Sequence, residues 1–324
     1  GVPPKGTDPS TRPATGRKRR PGSLRMSPRG GRLPRLHWAA LARALCDPKR
    51  GEGTDGLLVL GPSRRADVRM RMFNPDGSEP SMCGNGIRCL AWYANKSEAA
   101  GVSMTIETGA GVKRARIRGL HRVRVDMGAP VFRRRIVVRL PAVAHHDPEQ
   151  GRRPRRRIDG VFRERGRLVD ADLIDSGVPH LVCWVRDVSR VSVDALGRRL
   201  RQDRRLGRAG ANVDFVQVVA SRAGRSTLTM RTYERGVEGE TQACGTGAVA
   251  AAAAFARRAL QDGSGGASRS RRFRATVRVP GGVLQVELTA RRATGGRVVF
   301  GPAFLEGEAR PVSTGSRLNG RSAR

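Results

Sequence analysis

Lysine and aromatic rings are scarce in this chain, and closely paired cysteines are absent. Lys5, Lys18, Lys49, Lys96 and Lys113 are its only lysines in 324 residues. A pyridoxal-phosphate enzyme needs a Schiff-base lysine, and beyond position 49 only Lys96 and Lys113 remain, neither in a suitable context. No cofactor is therefore expected. Phe, Trp and Tyr together make up 4%, which leaves few faces on which nucleic-acid bases could stack. The cysteines, Cys46, Cys83, Cys89, Cys183 and Cys244, form no C-x-x-C pair. A structural zinc site lacks its usual ligand spacing, and no metal is expected. Five thiols in a chain of this size read as free thiols of a reducing cytoplasm. No apolar run approaches the roughly 18 residues of a membrane span, and the first residues lack the apolar core of a secretory signal.

Acidic residues are also few: 28 against 63 basic ones, for a net charge of +35. Such a balance would ordinarily point to nucleic acid or a membrane surface. Here nearly all the positive charge is arginine, spread along the whole chain, and it reads as the footprint of a GC-rich coding sequence. Neither partner is expected.

The length suits two cores of about 150 residues. Residues 1–40 are rich in Pro, Gly, Ser and Arg with Asp8 as the sole acid, and show no period of 2 or 3.6. That composition fits disorder, an organelle transit peptide, or a GC-rich stretch translated out of frame. A helical pattern runs from Trp38 to Ala44, and strands are expected at 57–60, 68–73, 103–108, 112–117 and 123–127. Helices follow Gly86 (87–97) and Gly247 (247–260), the second almost pure alanine. A Pro/Arg/Gly-rich insertion at 148–167 reads as a surface loop. Further strands are expected at 181–185, 213–219, 226–233, 276–279, 283–288 and 297–300.

What the chain does have is a repeated motif. Glu79-Pro80-Ser81-Met82-Cys83-Gly84-Asn85-Gly86 and Glu240-Thr241-Gln242-Ala243-Cys244-Gly245-Thr246-Gly247 share the pattern E-x-x-x-C-G-x-G, each running into a helix. A free cysteine is most often a small buried apolar residue, and Cys46, Cys89 and Cys183 are read that way. The duplicated context of Cys83 and Cys244 is not explained by packing. At a helix start, unpaired N–H groups and the helix dipole favour a thiolate and lower the thiol pKa. The same N–H groups could hold a carboxylate. Two such sites facing one carbon suit removal of a proton from one face and its return from the other.

Around these cysteines the chain resembles the diaminopimelate epimerases. The resemblance rests on Phe73-Asn74-Pro75-Asp76-Gly77-Ser78-Glu79, on Tyr233-Glu234-Arg235-Gly236, and on the two Cys-Gly-x-Gly motifs. Weaker matches are Gly53-Thr54-Asp55-Gly56-Leu57-Leu58, Pro179-His180, Ala211-Asn212-Val213 and Gly301-Pro302-Ala303. The resemblance implies that Cys83 and Cys244 are paired acid and base, with His180 ordering the site around them. It implies that Gly84, Asn85, Gly245 and Thr246 hold the reacting α-carboxylate through backbone N–H groups. Asn74, Asn212 and Arg235 would bind the distal end of an amino-acid substrate, and Glu234 would contact an ammonium group.

The family departs from this chain at two places: its Gly-Asn-Asp-Phe opening has no counterpart, since Asn74 is the first asparagine here, and Val178 stands where many members have Asn.

Duplication and resemblance together imply an α+β fold of two pseudo-symmetric domains. Each would be a curved, mixed or antiparallel, barrel-like sheet wrapped around a central helix, with the site between them. Residues 41–130 plus 296–308 would form the first domain, 131–295 the second, and 309–324 a disordered tail. A homodimer is implied by the resemblance alone. Two alternatives stand beside this reading: a racemase or epimerase of another amino acid, of the proline or hydroxyproline type, and an inactive epimerase fold that binds nucleic acid through arginine.

Overall fold

The computed structural model describes residues 37–140, 167–261 and 269–311. Residues 1–36, the expected insertion except for its last residue, and the tail beyond 311 lie outside the described residues. Of the segments expected to be disordered, residues 38–40 are helical, and Ala309 is buried with its N–H donated to His121 O.

Helix α1 (Trp38–Cys46) leads into the hairpin of β1 (Leu57–Gly61) and β2 (Val68–Phe73). Helix α2 (Gly84–Lys96) precedes β3 (Ser103–Thr108), β4 (Gly111–Ile117) and β5 (Arg122–Gly128). Then come β6 (Val131–Leu140), β7 (Arg167–Asp175), β8 (Pro179–Trp184), helix α3 (Val193–Arg201), β9 (Asn212–Arg222), β10 (Arg225–Glu234) and the short β11 (Gly239–Thr241). Helix α4 (Gly245–Gln261), β12 (Arg271–Val279), β13 (Gly282–Arg292) and β14 (Val298–Glu308) complete the described chain.

Among the described residues, all fourteen strands join one mixed sheet in the order β1-β2-β3-β4-β5-β14-β13-β12-β10-β9-β8-β7-β6, with β11 on β10. Pairing is antiparallel except at β2–β3, β8–β9 and β10–β12. The class is α+β, as expected, but neither half closes into a barrel. The reason is β14: it pairs with β13 from Arg292↔Val298 to Gln285↔Glu306, and with β5 from Ala303↔Gly128 to Glu308↔Arg122. One strand thus occupies the edges of both β5 and β13, leaving β1 and β6 as the ends of an open path.

The strands follow from period-2 alternation. In β5, Val123, Val125 and Met127 face in; in β12, Phe273, Ala275 and Val277 face in while Arg272, Arg274 and Arg278 stay in solvent. Helix α2 packs on β1, β2, β4 and β5, helix α4 on β7, β8, β9, β12 and β13, and both touch β14. Alanine serves α4 twice. It is the best helix former, and its small side chain lets strands approach from several sides: Ala248, Ala250, Ala251, Ala253, Ala254 and Ala256 are fully buried.

Strands β6 and β7 and helix α3 were not anticipated. In β6, buried Ile136 and Val138 are separated and preceded by exposed residues, several of them arginine, that hide the alternation. In α3, the stripe Val193, Leu196, Leu200 is interrupted by Gly197 and by Arg198 and Arg199. That stripe packs into a second core with Leu181, Val213, Phe215 and Tyr233. Gly197 is what lets α3 approach: a Cβ there would lie 2.2 Å from Tyr233 Cβ. Gly197→Ala is expected to lower stability by about 1–3 kcal/mol through overpacking, read as a lower thermal unfolding midpoint. An unchanged or higher midpoint would contradict the tight packing of α3 on Tyr233.

Candidate active site

Helices α2 and α4 begin against one another. A Cβ built on Gly84 would stand 2.9 Å from Gly245 Cα, and one on Gly245 would stand 2.9 Å from Gly84 Cα and 2.8 Å from Leu305 Cδ2 of β14. Only glycine permits two backbones to meet this closely. The cysteines immediately precede these glycines and open their helices in the same way: Ile87 N–H donates to Cys83 O at 3.0 Å, and Ala248 N–H to Cys244 O at 3.0 Å. Cys83 Sγ also accepts from Gly86 N–H at 3.3 Å. Asn85 ties the two starts together by donating Nδ2–H to Ala243 O at 2.6 Å. Ser176, on the turn before β8, donates its hydroxyl to Thr246 O at 2.8 Å.

Cys244 lies within a buried polar chain. Its Sγ is 3.4 Å from Thr246 Oγ1, which is 2.9 Å from His180 Nε2. His180 Nδ1 is 2.7 Å from Asp214 Oδ2, and Thr232 donates its hydroxyl to Asp214 Oδ1 at 2.8 Å. His180 and Asp214 are both fully buried. Strands set this up: His180 and Asn212 are register partners on parallel β8 and β9, and Asp214 stands opposite Thr232 on β10. Asn212 accepts Arg235 N–H on Oδ1 at 2.7 Å, and its Nδ2 lies 3.2 Å from His180 Nε2. Its amide is thus engaged with the protein on both sides.

The remaining predicted residues gather around this pair. Glu234 accepts the Thr241 hydroxyl at 3.0 Å, and its charge acts on both Cys83 and Cys244. Arg235 is half-buried, with Nη1 3.5 Å from Ala209 O. Asn74, from the other end of the sheet, reaches the same loop: a Cβ on Gly236 would lie 3.6 Å from Asn74 Nδ2. That Nδ2 also donates to Ser78 Oγ at 3.0 Å. Backbone N–H groups of Asn85 and Gly86 act on Cys83, and that of Gly247 on Cys244.

The expectation of low-pKa thiols is overturned. Burial pushes both Cys83 and Cys244 above the ordinary thiol range, and the Glu234 carboxylate adds to it at each. Helix N–H groups lower both, as the helix start requires, but desolvation outweighs them. Burial also raises Glu234 above the ordinary carboxylate range, against the Thr241 hydrogen bond.

Three residues near the thiols were not singled out in the sequence. Buried Arg88, one turn into α2, donates to Gly84 O at 2.8 Å and to Asn85 Oδ1 at 2.9 Å. Asp214 and Thr232 complete the histidine chain. Asp214 carried a readable signal, since it sits two residues after Asn212 on a strand and so shares its face. Arg88 carried little, in a chain with arginine everywhere. No three His, Cys, Asp or Glu side chains among the described residues are grouped as metal ligands. No helix among them is long and apolar enough to cross a membrane.

One mixed sheet thus carries two abutting helix starts, each led by a cysteine. A family model described as diaminopimelate epimerase matches residues 33–133 and 173–305. The chain belongs to the diaminopimelate epimerase family. It is 39% identical over 252 residues to the diaminopimelate epimerase of Moorella thermoacetica, covering 76% of this chain and 81% of that one. It is 38% identical over 258 residues to that of Archaeoglobus fulgidus, covering 78% and 81%. Among solved structures, a phenazine biosynthesis protein of the PhzF family from Bacillus anthracis matches with a TM-score of 0.55 at 13% identity, over 86% of this chain and 88% of that one. That likeness concerns the fold.

The raised pKa of Glu234 has a pH signature. Between the ordinary glutamate range and its higher folded value, the folded chain keeps a proton that the unfolded chain has lost. Stability therefore falls as pH rises through that window. Glu234→Gln removes this cost and keeps an acceptor for Thr241. Its unfolding midpoint is expected to exceed that of the native chain at neutral pH, with the gap closing at pH below the ordinary glutamate range. A gap independent of pH would show that Glu234 is not held against its charge.

Proposed function

We propose that this chain is a diaminopimelate epimerase, interconverting the LL and meso isomers of 2,6-diaminopimelate by proton transfer at one α-carbon. The observation that carries the reading is the contact of Gly84 with Gly245, which brings two cysteine-led helix starts together. In this reading the substrate α-carboxylate lies on the N–H groups of Gly84, Asn85, Gly245 and Thr246, where the two helix dipoles favour an anion. The α-carbon then sits between the two sulfurs. One cysteine acts as thiolate and takes the α-proton, while the other, as thiol, protonates the opposite face. Inversion leaves the two thiols with exchanged protonation states, so the reverse reaction uses the same pair. This proton chemistry asks nothing of a metal or organic cofactor.

Burial has a definite role here. A thiol of raised pKa is a poor thiolate in the empty site but a strong base once ionised, and an α-proton next to a carboxylate is a weak acid. Closure over the substrate excludes water and strengthens each N–H contact to the developing negative charge. At the far end, Arg235 clamps the distal carboxylate in bidentate fashion, with Asn74 beside it. Glu234 meets an ammonium group, which offsets the burial cost of its carboxylate.

Two experiments address this reading. Cys83→Ala and Cys244→Ala are each expected to abolish the exchange of the diaminopimelate α-hydrogen with solvent deuterium, followed by proton NMR. Full exchange in either variant would refute the two-thiol mechanism. Arg235→Ala is expected to raise KM for diaminopimelate on the order of 100-fold, as loss of a charge-paired contact of about 3 kcal/mol implies. An unchanged KM would remove Arg235 from the distal grip and favour a monocarboxylate substrate.

A further inference from the structure

The two thiols are not equivalent. Cys83 is supported by backbone N–H groups of its own helix, whereas Cys244 also ends a buried chain of side chains that runs through Thr246 and His180 to Asp214. With His180 neutral, the donors and acceptors of this chain run in one direction. Arg235 N–H occupies Asn212 Oδ1, so the Asn212 amide turns its Nδ2–H toward His180 Nε2. That makes Nε2 an acceptor, and puts the imidazole proton on Nδ1, facing the Asp214 carboxylate. Of the two groups facing Nε2, Thr246 Oγ1 is the nearer, at 2.9 Å against 3.2 Å for Asn212 Nδ2, and it gives its hydroxyl proton there; its oxygen is then free to accept the Cys244 S–H. Asp214 is held in turn by the Thr232 hydroxyl, and it lies against the first turn of α4, where a Cβ on Gly247 would be 2.6 Å from Oδ1.

We infer that Asp214 is a positioning residue that provides Cys244, and not Cys83, with an internal proton acceptor through His180 and Thr246. When Cys244 ionises, its proton passes to Thr246 Oγ1 as the Thr246 hydroxyl proton passes to His180 Nε2. The products are a thiolate at Cys244 and an imidazolium at His180 that lies 2.7 Å from the buried Asp214 carboxylate. No proton leaves the chain and no bond other than O–H, N–H and S–H changes. Glu234 on β10 and Cys183 on β8 are the other ionisable groups whose charge meets the relay, and among the described residues neither hydrogen-bonds to it. Without the relay, a buried carboxylate near Cys244 would only oppose its ionisation, as Coulomb's law requires. The relay and bare electrostatics therefore predict opposite signs when Asp214 loses its charge.

The inference rests on the two-thiol reading, and its test needs no substrate. Each thiol is isolated in turn, Cys244 in a Cys83→Ala protein and Cys83 in a Cys244→Ala protein, and its alkylation by iodoacetamide at neutral pH is followed by mass spectrometry of the site peptide. Asp214→Asn is expected to slow alkylation of Cys244 at least tenfold and to leave that of Cys83 within twofold. Faster or unchanged Cys244 alkylation, or equal slowing of both thiols, would overturn the proposal. Should Asp214→Asn fail to fold, Thr246→Val cuts the same relay and is expected to slow Cys244 equally, with Thr246→Ser restoring the native rate; a native rate in Thr246→Val would be as damaging. In the otherwise native chain, Asp214→Asn is expected to lower kcat for diaminopimelate about 100-fold, the lower end of the range for acid–base groups, with KM changed less than threefold. If native protein fails to turn over diaminopimelate while the alkylation pattern holds, the substrate assignment fails and the relay stands.

Discussion

Everything at this site depends on two backbones touching. Gly84 and Gly245 leave no room for a side chain on either, and Leu305 of the shared strand β14 closes the space behind them. Because each glycine directly follows a cysteine, that single contact brings the two cysteine-bearing helix starts together. The surrounding architecture maintains it. Helix α4 is rich in alanine, so β7, β8, β9, β12, β13 and β14 can crowd around it. Asn85 bridges from one helix start to the carbonyl before the other cysteine, and Ser176 holds Thr246 from the side. An open sheet follows from the same requirement. A strand that serves both halves cannot also let either half close on itself.

The second constraint is electrical. A helix start favours a thiolate, yet the same close packing removes water from it, and desolvation is the larger effect at both cysteines. Glu234 sharpens the conflict, since one carboxylate opposes ionisation of both thiols and is itself held above its ordinary range. A site of this kind is poised rather than charged, since burial disfavours the ionised forms of Cys83, Cys244 and Glu234 alike. Such arrangements reduce stability for the sake of chemistry. The polar chain behind Cys244 separates the two thiols, which otherwise share a motif and a cap geometry.

Legibility from sequence followed local pattern. Strands such as Ser103–Thr108 and Val68–Phe73 fall where alternation places them, because Met104 and Ile106, and Val68 and Met70, face in while Ser103, Thr105, Arg69 and Arg71 between them do not. Ile136 and Val138 carry the same pattern in β6, but arginines around them obscure it. Helix α3 shows too short a stripe, broken by Gly197, whose reason lies far away in Tyr233. At the site, the cysteines, Asn74, Asn212, Glu234 and Arg235 all came from motifs, and the structure draws them together. Asp214 and Thr232 have no motif, since their partners come from other strands, and Arg88 is one arginine among many.

The sequence by itself determined the repeated Cys-Gly-x-Gly helix starts, the α+β class and the family, because these depend on residue type, short spacing and local periodicity. Only the tertiary structure decided the open sheet with its shared strand, the raised rather than lowered thiol pKa, and the unequal surroundings of Cys83 and Cys244. Those properties are set by burial and by pairings between residues dozens of positions apart. Desolvation in particular has no local code: a helix start lowers a thiol pKa, yet both thiols are raised here because burial among residues from other elements outweighs it.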